Sequence, residues 1–303
     1  MIQPPRPRPG DTVRLVSPSA PPTKAGLSRV TRALREWGLR PQVAPHALDR
    51  AGYLAGADAD RLADLNDALA DPDVRAVVTT RGGKGASRIA DLLDHAALRR
   101  DPKLLVGFSD ATILQLAVLR ETGVACLHGG VVSWNAHRAT PGLVESVRLG
   151  MMSTAPVVLR ADPAEPTAAL TTSGQAGGVL VGGNLDLVAT AAGWALPRLD
   201  GAILLLESIG AGLGLIDCLL TMLLRGGHLA GVRGVAVGQF ARSPAAGGWT
   251  VVDVLRDRLG LLGVPVLGGL PVGHGFDVRA VPVGVTAVLD ADSGELVVQP
   301  AVS

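Results

Sequence analysis

The sequence has few aromatic residues, and this scarcity limits what the chain can bind. Three Phe, one Tyr and four Trp make up 3% of the 303 residues. A platform that stacks nucleic-acid bases needs several exposed rings. Lys and Arg number 28 against 27 Asp and Glu, so the net charge of +1 gives no general attraction to nucleic acid or to anionic membranes. We therefore expect neither nucleic acid nor a membrane as a partner.

Cysteine and long hydrophobic runs are scarce as well. Cys126 and Cys218 both lie in apolar stretches, which predicts two buried free thiols and no disulfide framework. The six His residues are scattered without metal-ligand spacing, so we expect no metal site.

The uncharged runs 166–185 and 259–276 are interrupted by glycines and do not resemble membrane helices. Residues 1–13 lack the apolar core of a signal peptide, which predicts a cytoplasmic protein.

Hydrophobic residues and glycine are abundant. Hydrophobic residues make up 48% of the sequence, and 39 of the 303 residues are glycine. In the first half, short apolar strands alternate with amphipathic helices, a pattern that predicts a parallel sheet with helices on both faces. The alternation gives way to Pro, Ala, Thr and Gly at about 150–178 and then resumes, ending in an antiparallel β-pair. We therefore predict an α/β fold with an N-terminal domain at 1–150, a linker at 151–177 and a C-terminal domain at 178–303.

A serine lies between a predicted strand and a predicted helix, in Gly107-Phe108-Ser109-Asp110-Ala111. Such a junction lifts the side chain above the sheet and places it near a helix N-terminus. The spacing is close to the G-x-S-x-G nucleophile elbow, with Ala at the last position. Ser109 is therefore either a nucleophile or an ordinary helix N-cap, a position where Ser is common.

Two glycine-rich segments also follow predicted strands. The backbone amides of Arg81-Gly82-Gly83-Lys84-Gly85 could hold an anion or an oxyanion. This segment lacks P-loop spacing, so a plain glycine-rich turn is a better alternative than nucleotide binding. His128-Gly129-Gly130 is similar to the His-Gly-Gly oxyanion loops of esterases, or His128 is a hydrogen-bonded structural residue.

A carboxylate and a histidine in the second half complete the set of reactive groups. Glu207 ends an apolar run, at the edge of a parallel sheet where functional groups usually lie. His274 stands in a loop between Gly273 and Gly275. Each alone could be a solvated strand end or a loop residue without function. Together with Ser109 they supply a nucleophile, a base and a group to orient the base.

The motifs, in this order, resemble the LD-carboxypeptidase family, serine peptidases that trim murein peptides. The resemblance covers nearly the whole chain. It rests on Pro18-Ser19-Ala20, Arg81-Gly82-Gly83, Gly107-Phe108-Ser109-Asp110, His128-Gly129, Gly182-Gly183-Asn184-Leu185, Leu206-Glu207, Ile216-Asp217, Val237-Gly238-Gln239-Phe240 and Gly273-His274-Gly275.

The resemblance implies a catalytic triad of Ser109 as nucleophile, His274 as general base and Glu207 as the residue that orients it. It implies an oxyanion hole formed by the amides of Asp110 and of Arg81-Gly82-Gly83, with Arg81 as a candidate for binding a substrate carboxylate. The implied fold is a flavodoxin-like N-terminal nucleophile domain with a swivelling C-terminal α/β domain. The implied protein is a homodimer without metal or cofactor that releases D-Ala from murein tetrapeptide in cell-wall recycling.

The sequence departs from the family pattern around the predicted triad. Lys84 replaces a usual Tyr, Trp194 follows Gly193 where Thr is common, and Cys218, Met222 and Ser208 replace other frequent residues. These departures leave the substrate open. Alternatives are a microcin C immunity-type peptidase, which cleaves an amide between an amino acid and a nucleotide-like group that Trp194 could stack on, and a non-enzymatic α/β binding protein. Lys84 either favours substrates with a carboxylate near the scissile bond or points to solvent.

Overall fold

The computed structural model describes residues 1–130 and 139–303, which form two β-sheets with surrounding helices. The first part contains β1 (Thr12–Val16), α1 (Lys24–Glu36), β2 (Arg40–Val43), α2 (Asp58–Ala70), β3 (Val74–Thr79), α3 (His95–Arg100), β4 (Leu104–Gly107), α4 (Thr112–Thr122) and β5 (Cys126–His128). The second part contains α5 (Pro141–Met152), β6 (Val157–Arg160), β7 (Gln175–Asn184), α6 (Leu185–Thr190), β8 (Ala202–Ile209), α7 (Leu213–Arg225), β9 (Gly234–Ala241), α8 (Val251–Leu259), β10 (Val266–Leu267), β11 (Val281–Val283), β12 (Thr286–Asp290) and β13 (Glu295–Val298).

Both sheets combine parallel and antiparallel strands. The first has the order β11-β5-β4-β3-β1-β2, in which β1 to β5 run parallel and β11 pairs antiparallel with β5. The second has the order β10-β9-β8-β7-β12-β13-β6, in which β7 to β10 run parallel and the other pairs are antiparallel. The predicted α/β fold class is confirmed.

Helix α4 joins the two sheets. Its residues from Thr112 to Leu119 are all buried, because it contacts α6 and β7 of the second part as well as its own sheet. By contrast, α1 buries only one face, with Leu27, Val30 and Leu34 at helical spacing. A helix that is buried on every side lies between layers, so the turn before α4 faces the second part of the chain.

The predicted linker, residues 151–177, contains regular structure. Helix α5 continues to Met152, β6 pairs antiparallel with β13, and 166–170 form a short helical turn. Strand β6 begins with the apolar run Val157-Val158-Leu159, of which only Leu159 is buried, because the strand lies at the edge of the second sheet. The spacing of apolar residues predicts a further helix over 85–93, but the structure has two short 3₁₀ turns there, Ala86–Arg88 and Ala90–Leu92.

Strand β11 belongs to the first sheet although it comes from the second half of the sequence. The apolar run 283–289 predicts one continuous strand, but the chain turns at Gly284, whose φ is +80°. Val281 to Val283 pair with β5, and the residues from Thr286 onward pair with β7 in the second sheet. The chain therefore returns to the N-terminal sheet before it completes the C-terminal one.

The two cysteines have different surroundings. Cys126 is buried in β5, and burial raises the pKa of its thiol to about 12. Cys218 is exposed on α7, so the prediction that it is buried is wrong. Helix α7 directs Ile216, Leu220 and Leu223 into the core, and position 218 falls on the opposite face.

Candidate active site

Ser109 has a strained backbone. Its φ is +61°, a value that among the described non-glycine residues only Arg242 and Asp277 approach. This left-handed conformation costs about 1–3 kcal/mol and is found at nucleophile turns between a strand and a helix. Helix α4 begins at Thr112 with Ala111 at its N-cap, so Ser109 is not the cap of α4. The strained turn is what distinguishes Ser109 from a capping serine.

The glycine-rich loop lies directly against Ser109. A Cβ atom built on Gly82 would lie 2.8 Å from the Ser109 Cβ and 3.2 Å from its Oγ. At Gly83, φ is +127° and a Cβ would lie 2.6 Å from the Ala20 Cβ. Only glycine allows the loop backbone to approach this closely, so Gly82 places main-chain atoms beside the serine and Gly83 packs the loop against Ala20.

Two buried charged groups hold this loop in place. The Arg61 guanidinium donates to the carbonyl oxygens of Pro18 and Gly85, the latter at 3.1 Å. The Asp110 carboxylate accepts the Ala86 N–H at 2.9 Å, and burial raises the pKa of this carboxyl. Asp110 thus links the serine turn to the end of the glycine-rich loop. Sequence reasoning missed Arg61, because it lies within the helical pattern of α2.

Glu207 and His274 form a direct pair. The His274 Nδ1 lies 2.7 Å from the Glu207 Oε2, and Glu207 is fully buried whereas 11% of the His274 side chain is exposed. Glu207 lies where the pairing of β8 with β9 shifts between Leu206 and Ser208. Such β-bulges re-aim side chains at functional edges of sheets. A buried carboxylate on Nδ1 fixes the tautomer and orientation of the ring.

Phe108 connects this pair to the serine turn. Its ring packs on His274 with centroids 4.4 Å apart and on His128 with centroids 5.0 Å apart. Because Phe108 immediately precedes Ser109, the His274 ring lies beside the serine turn. The structure thus pairs Glu207 with His274 and packs His274 against Phe108, the residue before Ser109. Phe108 was named in the sequence only as part of the serine motif.

His128 is a buried neutral residue in this group. Its Nδ1 lies 3.3 Å from the Gln115 Oε1. Burial lowers the pKa of His128 to about 4, and the weaker opposing effect of the Glu207 charge does not offset this. A neutral, hydrogen-bonded imidazole within the core supports the structural alternative for this residue.

The two cations of the glycine-rich loop lie at its surface. Arg81 is exposed and donates to the Pro21 carbonyl at 3.2 Å. Lys84 is 68% exposed, and its Nζ lies 3.8 Å from the Asp186 Oδ2 in α6. Neither of the two alternatives for Lys84 included this ion pair, which crosses from the N-terminal loop to the C-terminal part.

A group of possible metal ligands lies outside this site. Among residues 1–130 and 139–303, His46, Asp49 and Asp60 are close enough together to share an ion. The His46 Nδ1 lies 2.8 Å from the Asp49 Oδ2, an ordinary surface ion pair. None of the three belongs to the group around Ser109.

Within residues 1–130 and 139–303, no helix is long and apolar enough to cross a membrane.

Family models identify both halves of the chain. The model of the LD-carboxypeptidase N-terminal domain matches residues 13–129, and that of the C-terminal domain matches residues 177–289. The chain therefore belongs to the LD-carboxypeptidase family, an enzyme family, and the resemblance inferred from its motifs is confirmed.

Individual relatives agree with this assignment over almost their full lengths. A Streptomyces coelicolor protein named "Putative carboxypeptidase" is 42% identical and covers 98% of this chain and 96% of its own. A Bacillus subtilis protein named "Probable murein peptide carboxypeptidase" is 31% identical, with coverages of 97% and 93%.

Two solved structures share the fold. The muramoyltetrapeptide carboxypeptidase from Oxalobacter formigenes has a TM-score of 0.84 at 25% identity and covers 96% of this chain and 100% of its own. The microcin C7 self-immunity protein MccF in complex with aspartyl sulfamoyl adenosine has a TM-score of 0.87 at 22% identity, with both chains covered completely.

Proposed function

We propose that the protein is a serine carboxypeptidase that cleaves an L,D-peptide bond and releases a terminal D-amino acid, D-Ala, from murein tetrapeptide. The observation that carries the proposal is the buried Glu207–His274 pair, 2.7 Å apart, packed against the residue that precedes a strained serine. The murein peptide named for the Bacillus subtilis relative supports the substrate. The cytoplasmic location and the homodimer remain predictions.

The arrangement supports a two-step acyl transfer. The Ser109 Oγ attacks the scissile carbonyl carbon while His274 takes its proton at Nε2, the ring nitrogen opposite Glu207. The Glu207 carboxylate stabilises the resulting imidazolium. His274 then gives the proton to the amine of the departing D-amino acid, and the C–N bond breaks. Water attacks the acyl-enzyme in the same way, which restores Ser109 and releases the shortened peptide.

Main-chain amides supply the oxyanion hole in this proposal. The turn that contains Gly82 and Gly83 lies against Ser109, and the Asp110 amide follows the serine directly. One such donor typically contributes about 3–4 kcal/mol to transition-state stabilisation. Arg81 remains the candidate for the substrate carboxylate and would have to exchange its Pro21 carbonyl partner for the substrate.

Mass spectrometry after incubation with murein tetrapeptide tests the proposal. We expect release of D-Ala and the corresponding tripeptide by the wild-type protein. Ser109→Ala should lose nearly all turnover while its thermal stability changes little. Hydrolysis by Ser109→Ala at the wild-type rate would exclude the serine mechanism. A wild-type protein that binds the tetrapeptide without cleaving it would favour the non-enzymatic alternative.

A parallel incubation with an aminoacyl sulfamoyl adenosine tests the microcin-type alternative. The likeness to MccF at 22% identity supports the shared fold alone. The Trp194 Nε1 donates to the Thr190 carbonyl at 2.6 Å, and the side chain is 37% exposed. This bond holds the indole against the C-terminal end of α6, so no observation favours base stacking over packing. Cleavage of the adenosine compound alone would reverse the order of the two candidates.

A further inference from the structure

We propose that Gln239 is a positioning residue that fixes the loop around His274 and thereby holds the imidazole against Glu207. The inference rests on the proposed function, because it concerns the base of that reaction. Gln239 is 8% exposed, and it hydrogen-bonds main-chain atoms of the loop both before and after His274.

The β-bulge brings Gln239 next to Glu207. Leu206 pairs with Val237 and Ser208 pairs with Phe240, so two residues of β9, Gly238 and Gln239, lie opposite Glu207 alone. Neighbouring strand ends therefore hold the same loop in two ways. Glu207 binds the imidazole ring, and Gln239 binds the backbone that carries it.

Three hydrogen bonds join Gln239 to the loop. Its backbone N–H donates to the Val272 carbonyl at 2.7 Å, before His274. After His274, the Gly275 N–H donates to the Gln239 Oε1 at 2.8 Å, and the Gln239 Nε2 donates to the Phe276 carbonyl at 3.3 Å. A reversed amide would set donor against donor and acceptor against acceptor, so its orientation is fixed.

The fit between the amide and the loop depends on glycine. A Cβ atom on Gly275 would lie 2.3 Å from the Gln239 Oε1, and one on Gly273 would lie 3.0 Å from the Gln239 carbonyl oxygen. The φ of Gly273 is +139°, a conformation that L side chains rarely adopt. The glycines on either side of His274 therefore allow close contact with Gln239 in addition to turning the chain.

The two bonds that a substitution at Gln239 can remove are those of its side-chain amide, to the Gly275 N–H and to the Phe276 carbonyl. Loss of the Gln239 side chain would leave the Gly275 N–H and the Phe276 carbonyl without these partners. The loop would then relax, and His274 would shift relative to both Glu207 and Ser109.

A substitution series separates positioning from general stability. Gln239→Leu should lower kcat by about 10- to 100-fold and change KM by less than about three-fold, because misplacing the base affects the transition state more than ground-state binding. The matched control is Gln175→Leu, which removes an exposed glutamine whose Nε2 donates to the Asp290 carboxylate at 2.9 Å. This control should keep wild-type kinetics.

The low-field NMR signal of the His274 Nδ1 proton gives a readout that does not require activity. In Gln239→Leu we expect it to shift or broaden through faster solvent exchange, and in Gln175→Leu we expect it unchanged. Gln239→Glu keeps an acceptor for the Gly275 N–H but loses the donor to the Phe276 carbonyl. It should show a smaller loss of kcat, and it serves as the test if Gln239→Leu does not fold.

Wild-type kcat together with an unchanged Nδ1 proton signal in the folded Gln239 variants would overturn the proposal. Ser109→Ala is measured in the same series, so that failure of the serine mechanism is seen separately. If Ser109→Ala were active, the proposed function would fail, and the His274 proton signal would still decide the role of Gln239.

Discussion

Gly82 and Ser109 approach so closely that no side chain fits between them, since a Cβ on Gly82 would lie 2.8 Å from the Ser109 Cβ. Gly82→Ala should therefore displace the serine or the loop beside it. A displacement of about 1 Å in a catalytic group can cost about 100-fold in rate. We expect a loss of this order in kcat/KM, measured as D-Ala release from murein tetrapeptide.

The matched control for Gly82→Ala is Gly177→Ala. Neither glycine has a positive φ, and a Cβ on Gly177 would meet nothing within 4 Å. This variant should keep wild-type kinetics. If both variants had the same activity, the contact between Gly82 and Ser109 would have no catalytic importance.

The positive φ of Ser109 predicts that a change to glycine stabilises the fold. Glycine adopts φ near +61° without the steric cost of a Cβ, and this gain exceeds its larger unfolded-state entropy. Ser109→Gly should be more stable than Ser109→Ala by about 0.5–1 kcal/mol in urea unfolding, although both lack the nucleophile.

Arg242 offers a control for this effect of backbone strain. Its φ is +57°, so Arg242→Gly should also be more stable than Arg242→Ala. Arg242→Gly should also keep the wild-type turnover. The serine turn would not be strained in solution if Ser109→Gly were less stable than Ser109→Ala while Arg242→Gly was, as expected, more stable than Arg242→Ala.

The ion pair of Lys84 with Asp186 changes what is expected of Lys84. Asp186 partly neutralises the ammonium, and exposed pairs contribute little energy. Lys84→Met should therefore alter KM for a carboxylate-terminated tetrapeptide by less than about two-fold. Asp186→Asn leaves the ammonium unpaired and should lower this KM more than that of the amidated analogue, with the difference shrinking as salt rises. A several-fold rise of KM in Lys84→Met would instead favour a direct contact with substrate.

His128 should make the protein less stable in mild acid. Its pKa is about 4 in the folded state against 6.5 for an unperturbed imidazole. The unfolded chain therefore binds a proton that the native state excludes. This contribution to stability is complete above about pH 6.5 and is lost as the pH falls toward 4. At pH 5 the loss should be about 2 kcal/mol.

Urea unfolding of His128→Gln at about pH 7.5 and pH 5 isolates this effect from the other titrating groups. The substituted amide side chain has no proton to gain in this range, so the variant should lose less stability on acidification than the wild type does. An identical loss in both proteins would mean that His128 is not the group responsible.

The unequal burial of the two thiols predicts their reactivity. Cys126 is buried and its pKa is raised to about 12, whereas Cys218 is exposed. A thiol reagent such as Ellman's reagent should modify one thiol per native chain and two after denaturation. Cys218→Ser should abolish the native reaction. If Cys126→Ser abolished it instead, β5 would be open to solvent.

The helices and strands with strong hydrophobic periodicity could be predicted from the sequence. Their apolar residues repeat at helical spacing, which predicts helices over 251–259 and 24–37. Helix α8 has the first of these bounds, and α1 ends one residue before the second. Strand β2 could not be found this way, because none of its four residues is buried, and the apolar run 157–159 of β6 is too short to show a period. Their pairing is decided by neighbours that are distant in sequence.

For the candidate site, the sequence supplied residue types but not their contacts. Glu207 and His274 could be selected from their positions at a strand end and in a glycine loop. The roles of Arg61 and Gln239 depend on backbone atoms brought close by folding, and no local pattern marks those atoms. The feature that distinguishes a nucleophile turn from a helix cap here is the strained φ of Ser109. This backbone angle cannot be read from the residue types.

The pairing of β11 with β5 has a consequence for how the site responds to movement. The segment that bears His274 is tied at one end to β9 through the Gln239–Val272 bond and enters the first sheet at Val281 at the other. This segment therefore spans both sheets, and any sliding or rotation of one sheet against the other is transmitted to the imidazole. Ser109 follows a strand of the first sheet and Glu207 lies in a strand of the second, so the distance between Ser109 and the Glu207–His274 pair depends on the relative position of the two sheets.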